Sequence, residues 1–285
     1  NYSFFLPAIE SKLVSRDGAV KYRLKLEDGK LIESVLIPTE KKNTLCISTQ
    51  VGCAHNCIFC STGKMGFIRN LETQEIIGQV ILAAKEQKDS GNKKLSNLVL
   101  MGMGEPLNNL QKVLAALTIL QSQEGLSFSP RRITVSTCGI VPGIIALADS
   151  GVKTKLALSL NSAIQTKRNQ LMPVSKQYSL IQLKQALLYY LRKTSFRVTL
   201  EYILIPEFNM NSEDLRALRK FTGDLSCKIN FIPYNPGRSS QFRAPTETEI
   251  KNFMSKAQNL PQAITLRKSR GSDIFGACGQ LTDNN

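Results

Sequence analysis

Tryptophan is absent from this 285-residue chain, aromatics make up only 7% of it, and His55 is its single histidine. Without interleaved aromatics there is no evident platform on which unpaired bases could stack. Contact with a nucleic acid would therefore rest on phosphates, which position a strand without choosing a base. One histidine also leaves little room for zinc. Structural zinc prefers four ligands in paired short spacings, and His55 lies inside a cysteine loop with no second Cys-x-x-Cys to close a tetrahedron. No run approaches the ~20 apolar residues of a membrane helix, and no secretory leader is visible. Acidic residues are scarce, 22 against 37 Lys and Arg, giving a formal net charge of +15. Such an excess suits a polyanionic partner, although a solvated basic surface gives the same count. The basic residues gather at Lys41-Lys42, Arg131-Arg132, Arg192-Lys193, and Arg267-Lys268 with Arg270.

Cysteine is the residue type that is present in an informative pattern. The seven cysteines (Cys46, Cys53, Cys57, Cys60, Cys138, Cys227, Cys278) are odd in number and unevenly placed. They do not form the even framework of a secreted disulfide scaffold, so a reducing, cytoplasmic setting is expected. Three of them fall in Cys53-Ala54-His55-Asn56-Cys57-Ile58-Phe59-Cys60. Three cysteines so close together in a polar, glycine-flanked loop are poor core material. A [4Fe–4S] cluster takes a thiolate on each iron, so three near cysteines would leave the fourth iron open to a small ligand.

The rest of the chain reads as α/β. Residues 10–40 carry short alternating runs punctuated by Asp17-Gly18 and Asp28-Gly29, which predicts an antiparallel meander. Apolar or β-branched runs at 45–48, 98–101, 133–136, 155–160, 198–204 and 229–233 predict strands, with a last short one at 263–267. Helical periodicity lies between them at 73–87, 107–121, 142–149, 179–193 and 212–221, and again at 246–257, where Thr246 and Glu249 have capping-box spacing. Six βα units predict a parallel sheet with its helices outside, too few for a closed eight-stranded barrel. The fold class expected is therefore α/β: a partial (β/α)6 barrel with a small N-terminal antiparallel β-extension. Its two parts would be 1–42, the meander, and 43–285, the barrel with a C-terminal cysteine loop. In such folds ligands sit at the carboxyl ends of strands. Gly102-Met103-Gly104-Glu105-Pro106, Ser136-Thr137-Cys138-Gly139, Ser159-Leu160-Asn161 and Pro233-Tyr234-Asn235-Pro236 all fall there.

The cysteine loop, with an aromatic before its third cysteine, resembles that of radical S-adenosylmethionine (SAM) enzymes. Cys46–Cys53, Met101–Leu107, Arg270–Ile274 and Ala277–Leu281 extend the likeness over nearly the whole chain to the RlmN/Cfr family of radical SAM RNA methyltransferases. The proline at 106 favours the RlmN branch, which methylates carbon 2 of adenine, over the Cfr branch, which acts on carbon 8. The resemblance implies a [4Fe–4S] cluster on Cys53, Cys57 and Cys60, and SAM held by Gly104, Glu105, Ser136, Ser159, Leu160, Asn161 and Asn235. It implies two SAM per turnover. One methylates Cys278; the other yields a 5′-deoxyadenosyl radical that activates the S-methyl group for addition to adenine. Cys46 then attacks the Cys278 sulfur and leaves a Cys46–Cys278 disulfide, with Glu33 as proton acceptor. Partners implied are 23S rRNA in its peptidyl-transferase region, tRNA and an external electron donor; there is no membrane, and a monomer is expected. Cys138 and Cys227 match no functional position and read as packing residues. The family's long form has an N-terminal helical accessory domain that this sequence lacks. The Cys278 loop, close to the last residue, is expected to be mobile. Other radical SAM chemistries, or an RNA-binding module keeping its cluster for structure, would share the cysteine loop but would not need the Cys46 and Cys278 pair.

Overall fold

The structure, a computed structural model, describes residues 5–237 and 241–282. The chain opens with an antiparallel meander: β1 (Ala8–Val14), β2 (Val20–Lys25) and β3 (Leu31–Pro38). Its turns form where the Asp-Gly pairs stand. Asp17 Oδ1 accepts the amide of Ala19 at 3.0 Å, Asp28 Oδ1 accepts that of Lys30 at 3.0 Å, and Gly18 and Gly29 take φ of +84° and +79°. β3 then pairs antiparallel with β4 (Asn43–Cys46), which carries the meander into the main sheet.

After β4 come a short hairpin of β5 (Gln50–Gly52) and β6 (Phe67–Asn70), with the one-turn helix α1 (Ser61–Lys64) in its loop. Helices and strands then alternate. In order they are α2 (Thr73–Asp89), β7 (Leu95–Leu100), α3 (Leu110–Gln121), β8 (Ile133–Thr137), α4 (Val141–Asp149) and β9 (Lys155–Ser159). They continue with α5 (Gln165–Leu171), α6 (Leu180–Lys193), β10 (Val198–Leu204), α7 (Ser212–Thr222), β11 (Cys227–Pro233), α8 (Glu247–Ala257) and β12 (Ala263–Leu266). Capping boxes start four of the helices: Glu72 with Glu75, Ser179 with Gln182, Asn211 with Asp214, and Thr246 with Glu249.

The strand order of the ten-stranded sheet is β1-β2-β3-β4-β7-β8-β9-β10-β11-β12, and every pair from β4 onward is parallel. The order never reverses. With right-handed crossovers throughout, all the helices fall on one side, and the sheet curls into an open barrel instead of a doubly wound slab. Burial follows that logic. In β8 and β9 the residues Ile133, Val135, Leu156 and Leu158 are fully buried against the helices, while Thr134, Ser136, Lys155 and Ser159 face the concave interior and are only partly buried. Residues two apart on a strand share a face. On these two strands the concave face carries polar residues around the small Ala157, while apolar side chains such as Ile203 and Ile232 line it elsewhere; the apolar core lies between sheet and helices. No described helix is long and apolar enough to cross a membrane.

Candidate active site

The carboxyl edge of the sheet opens into a cavity of about 1050 Å³, counting the open solvent at its mouth. Cys53, Cys57 and Cys60 line it from the loop between β5 and α1; Gly104 and Glu105 from the end of β7; Ser136 from β8; and Ser159 and Asn161 from β9. Asn235 closes it after β11, Arg267 after β12, and Cys278 from the C-terminal segment. Residues separated by more than two hundred positions thus meet where the parallel fold directs its strand ends.

The neck of the cysteine loop is fixed by backbone. Gly52 has φ of +75°, and a Cβ there would stand 1.8 Å from the carbonyl oxygen of Gly66, while the amide of Cys53 donates to that same oxygen at 3.0 Å. Within the loop the Cys60 amide donates to Cys57 O, and the Ile58 amide donates to Leu171 O at the end of α5. Cys57 is buried, and Cys53 and Cys60 are half-buried. Burial pushes the Cys53 thiol up to about 11, with the Cys60 sulfur adding to it. Burial also raises Cys57 and Cys60, and the neighbouring sulfurs add to the rise at Cys57. Among the described residues no three His, Cys, Asp or Glu side chains converge as a site for a single metal ion.

Sequence reasoning missed Arg168, on the short polar helix α5. Its side chain is 1% exposed, yet it has no carboxylate partner. Its guanidinium donates to the carbonyls of Ser159 (2.8 Å), Leu160 and Cys138 (2.6 Å). Burial lowers its pKa to about 10, while the sulfurs of Cys138 and Cys57 oppose that shift. One cation thereby fastens the ends of β8 and β9 together behind the cysteine loop. Its Nε has no protein partner at all. A buried guanidinium without a carboxylate partner, beside Cys57 of the loop and Cys138, is the complement that an anionic thiolate-bound cluster needs, so the residues fit a [4Fe–4S] group.

Cys46 and Cys278 come together at a smaller cavity behind the main one, which also takes in Met101, Arg267 and Leu281; Cys278 belongs to both cavities. Burial, with the Cys278 sulfur second, pushes the Cys46 thiol up to about 12. The Arg267 guanidinium is held above its ordinary range chiefly by the Cys278 sulfur, to which it also hydrogen-bonds, and secondarily by Glu201. The Cys278 loop, expected to be mobile, makes hydrogen bonds to its surroundings. The Ser61 amide donates to Gly279 O at 2.7 Å, Thr62 Oγ1 to Leu281 O at 3.2 Å, and Gln280 Nε2 to Pro236 O at 3.0 Å.

Of the other expected site residues, Ser136 and Ser159 face the cavity. Leu160 follows β9 with its side chain in the core. Asn161 takes φ of +58°, a conformation asparagine tolerates, and its Oδ1 accepts the Ile203 amide at 3.1 Å. Asn235 donates to Ser269 Oγ at 2.8 Å. Both oxygens of Glu105 already accept backbone amides, from Leu107 at 3.0 Å and from Cys138 at 2.7 Å, so it reaches a ligand only through its remaining lone pairs. Gly104 is required by packing: it has φ of +95°, and a Cβ there would lie 2.5 Å from Gln50 Cβ. Cys138, read from sequence as a packing residue, lines the main cavity. Glu33 lines neither cavity. It is 4% exposed in β3, pairs with Lys21 at 3.3 Å, and accepts the Thr282 amide at 2.7 Å.

The radical SAM superfamily profile matches residues 47–219. A curated dual-specificity RNA methyltransferase RlmN from Syntrophotalea carbinolica is 46% identical, over 94% of this chain and 70% of its own length. The RlmN of Lawsonia intracellularis is 45% identical, over 97% of this chain and 79% of its own. The chain belongs to the RlmN family of radical SAM enzymes. A crystal structure of a radical SAM methyltransferase from Sphaerobacter thermophilus superposes with a TM-score of 0.94 at 38% identity, covering 98% of this chain and 82% of that one. SAM-bound SuiB of Streptococcus suis shares the fold alone, at a TM-score of 0.56 and 10% identity over 81% of this chain and 52% of that one. Membership makes the chain a methyltransferase that uses an iron–sulfur cluster and SAM.

Proposed function

We propose that this protein methylates carbon 2 of an adenine in 23S rRNA and in tRNA, with Cys278 carrying the transferred carbon and Cys46 releasing it. The observation that carries this reading is the meeting of Cys46, Cys278 and Arg267 at one small cavity, with Cys278 also lining the cavity of the cysteine loop. A radical SAM enzyme acting without a protein-borne methyl group has no use for that pair. The pair is supported further by names: relatives that cover most of this chain are called dual-specificity RNA methyltransferases.

Cys53, Cys57 and Cys60 would hold the cluster; SAM would supply the methyl group, and its reduction at the cluster would supply the radical chemistry. The chain's own residues do the rest. Glu105, Ser136, Ser159, Asn161 and Asn235 form the SAM-facing wall. Arg267 faces the Cys278 sulfur, which in this reading acts as the nucleophile. Carbon 2 of adenine is electrophilic, so the carbon is delivered while still bonded to the Cys278 sulfur. Attack by the Cys46 thiolate on that sulfur then breaks the sulfur–carbon bond. The electron pair leaves with carbon, a proton completes the methyl group, and the two sulfurs remain as a disulfide. Glu33 is the proton acceptor in this reading. To reach the substrate it has to exchange its present partners, Lys21 and the Thr282 amide. An external donor supplies electrons, two SAM are consumed per methylation, and the enzyme works as a monomer in the cytoplasm.

Anaerobic incubation of the reconstituted enzyme with SAM, reductant and unmodified ribosomal RNA, followed by mass spectrometry of nucleosides, tests the reading. It predicts 2-methyladenosine. 8-Methyladenosine, or methylation that survives Cys278→Ala, would overturn it.

A further inference from the structure

The amino-terminal side of the sheet, opposite the cysteine loop, carries a cluster of cations that the proposed chemistry does not use. Lys155 is the first residue of β9 and lies on the concave face, since Ala157 and Ser159 share its parity and Ser159 lines the catalytic cavity. Lys228 lies on the same face of β11, two residues below Asn230 and four below the cavity-lining Ile232. Arg132 has the parity of Thr134 and Ser136 one residue before β8, and Lys42 stands just before β4. The charges that act on the Lys155 ammonium are those of Lys228, Arg132, Lys42 and Arg131, and every one of them is positive. Burial and these four neighbours lower the Lys155 pKa.

No ion pair resolves this repulsion, although the Glu201 carboxylate feels the Lys228 charge. Among the described residues none of the five makes an ion pair; every salt bridge of the structure lies elsewhere. Arg132 reaches Asn97 Oδ1 only at 3.5 Å. Glu201, the carboxylate above Lys228 on the concave face, is held by Asn230 Nδ2 at 2.6 Å and belongs to the catalytic wall. Like charges brought to one concave edge by four separate segments raise the free energy of the molecule unless an anion sits among them. The arrangement matches a phosphate chain: several donors on a curved surface, with no ion pair among them.

We propose that this amino-terminal face is a second RNA-binding surface, in which Lys42, Arg131, Arg132, Lys155 and Lys228 grip phosphates of a strand other than the one that delivers the adenine. The surface lies roughly 13–20 Å from the carboxyl ends of the strands, at ~3.3 Å per residue along strands of five to seven residues. It would therefore hold a folded RNA from the far side of the barrel and fix its orientation, without reading bases. The inference rests on RNA being the substrate, as proposed above.

The test is RNA binding as a function of KCl, by fluorescence anisotropy with a tRNA transcript and a large-subunit rRNA fragment. The cluster variant is Arg132→Gln/Lys155→Gln/Lys228→Gln. Lys88→Gln/Lys220→Gln/Lys251→Gln removes the same charge from exposed positions elsewhere. Each phosphate deprived of its cation should lower the slope of log K against log salt by about 0.7–0.9, so the cluster variant should drop by about two to three in slope and weaken by about tenfold or more at moderate salt. Lys228→Gln alone, at an exposed position, should show about one-third of that drop and guards against misfolding of the triple variant. Equal slopes in the cluster and control variants would overturn the proposal. So would binding of inorganic tripolyphosphate to the cluster with RNA affinity unchanged, which would assign the site to a free phosphate compound. Formation of methyladenosine by the wild-type enzyme on the same RNAs separates failure of this inference from failure of the proposed activity.

Discussion

Replacing Arg168 by methionine should be the most damaging single change behind the cavity. The side chain is 1% exposed and donates to three carbonyl groups, those of Ser159, Leu160 and Cys138. Methionine fills much of the volume but donates to none of them. The Leu160 carbonyl keeps the Ser162 amide at 2.7 Å, so two acceptors are left unsatisfied, at about 1–3 kcal/mol each, and cost roughly 2–6 kcal/mol. Removing a buried charge returns part of this as desolvation. The net loss should be about 1–4 kcal/mol. In a chain of this size that is a fall in melting temperature on the order of 3–10 °C, read by circular dichroism on the cluster-free protein. Cluster reconstitution, followed by iron content and the visible absorption of the cluster, should fall further, because the cation beside Cys57 is gone. Arg168→Lys should recover part of the cluster but not the three-carbonyl fastening. A melting temperature within about 1 °C of wild type would refute the claim that this guanidinium holds the ends of β8 and β9 together.

Other expectations follow from the same geometry. Gly104→Ala should cost a few kcal/mol and weaken SAM binding measured by calorimetry, since φ is +95° and the added Cβ meets Gln50 at 2.5 Å. Glu33→Gln strands the buried Lys21 ammonium, and breaking such a pair costs about 3–5 kcal/mol, visible as a drop in melting temperature on the order of 10 °C. The buried thiols give the cluster-free protein an alkaline weakness. Cys53 and Cys46 are pushed up to about 11 and about 12, so the unfolded chain loses these protons first, near pH 9. Stability should be flat below that pH and fall by about 1.4 kcal/mol per unit for each such thiol between pH 9 and the folded values. Denaturant midpoints that rise across this window would contradict the burial argument. By the same proton count, cluster loading should quicken as pH rises from 7 to 9.

The parallel strands were legible because each is a short apolar, β-branched run between turn signals, and the capping box at Thr246 marked α8 correctly. The first barrel strand was read two residues late. Ile47 and Ser48 are apolar and small enough to extend a strand, but the Ser48 amide is taken by Gln79 Oε1 of α2, so pairing stops at Cys46. The β5–β6 hairpin went unread since Gln50–Gly52 is too short to show alternation and Phe67 and Ile68 are exposed. Helix α5 was missed for a related reason: its sequence is polar, and only Arg168 and Leu171 are buried. The cysteines and strand-end loops of the site were visible as motifs, while Arg168, Glu201 and Arg267 were not. A buried arginine looks like a surface arginine in sequence, and only the fold shows that three carbonyls or a sulfur wait for it. The same holds for Lys155, whose charge drew no notice until the register set it among Lys228, Arg132, Lys42 and Arg131.

The proposed chemistry turns on two sulfurs, with Cys278 carrying the carbon and Cys46 releasing it. The experiment that bears on them most directly is denaturing gel electrophoresis and nucleoside mass spectrometry on RNA treated anaerobically with wild type, Cys278→Ala and Cys46→Ala enzymes. Wild type should give 2-methyladenosine, Cys278→Ala neither product nor adduct, and Cys46→Ala a covalent protein–RNA adduct through Cys278. Free methylated RNA from Cys278→Ala, or turnover by Cys46→Ala at the wild-type rate, would contradict these roles.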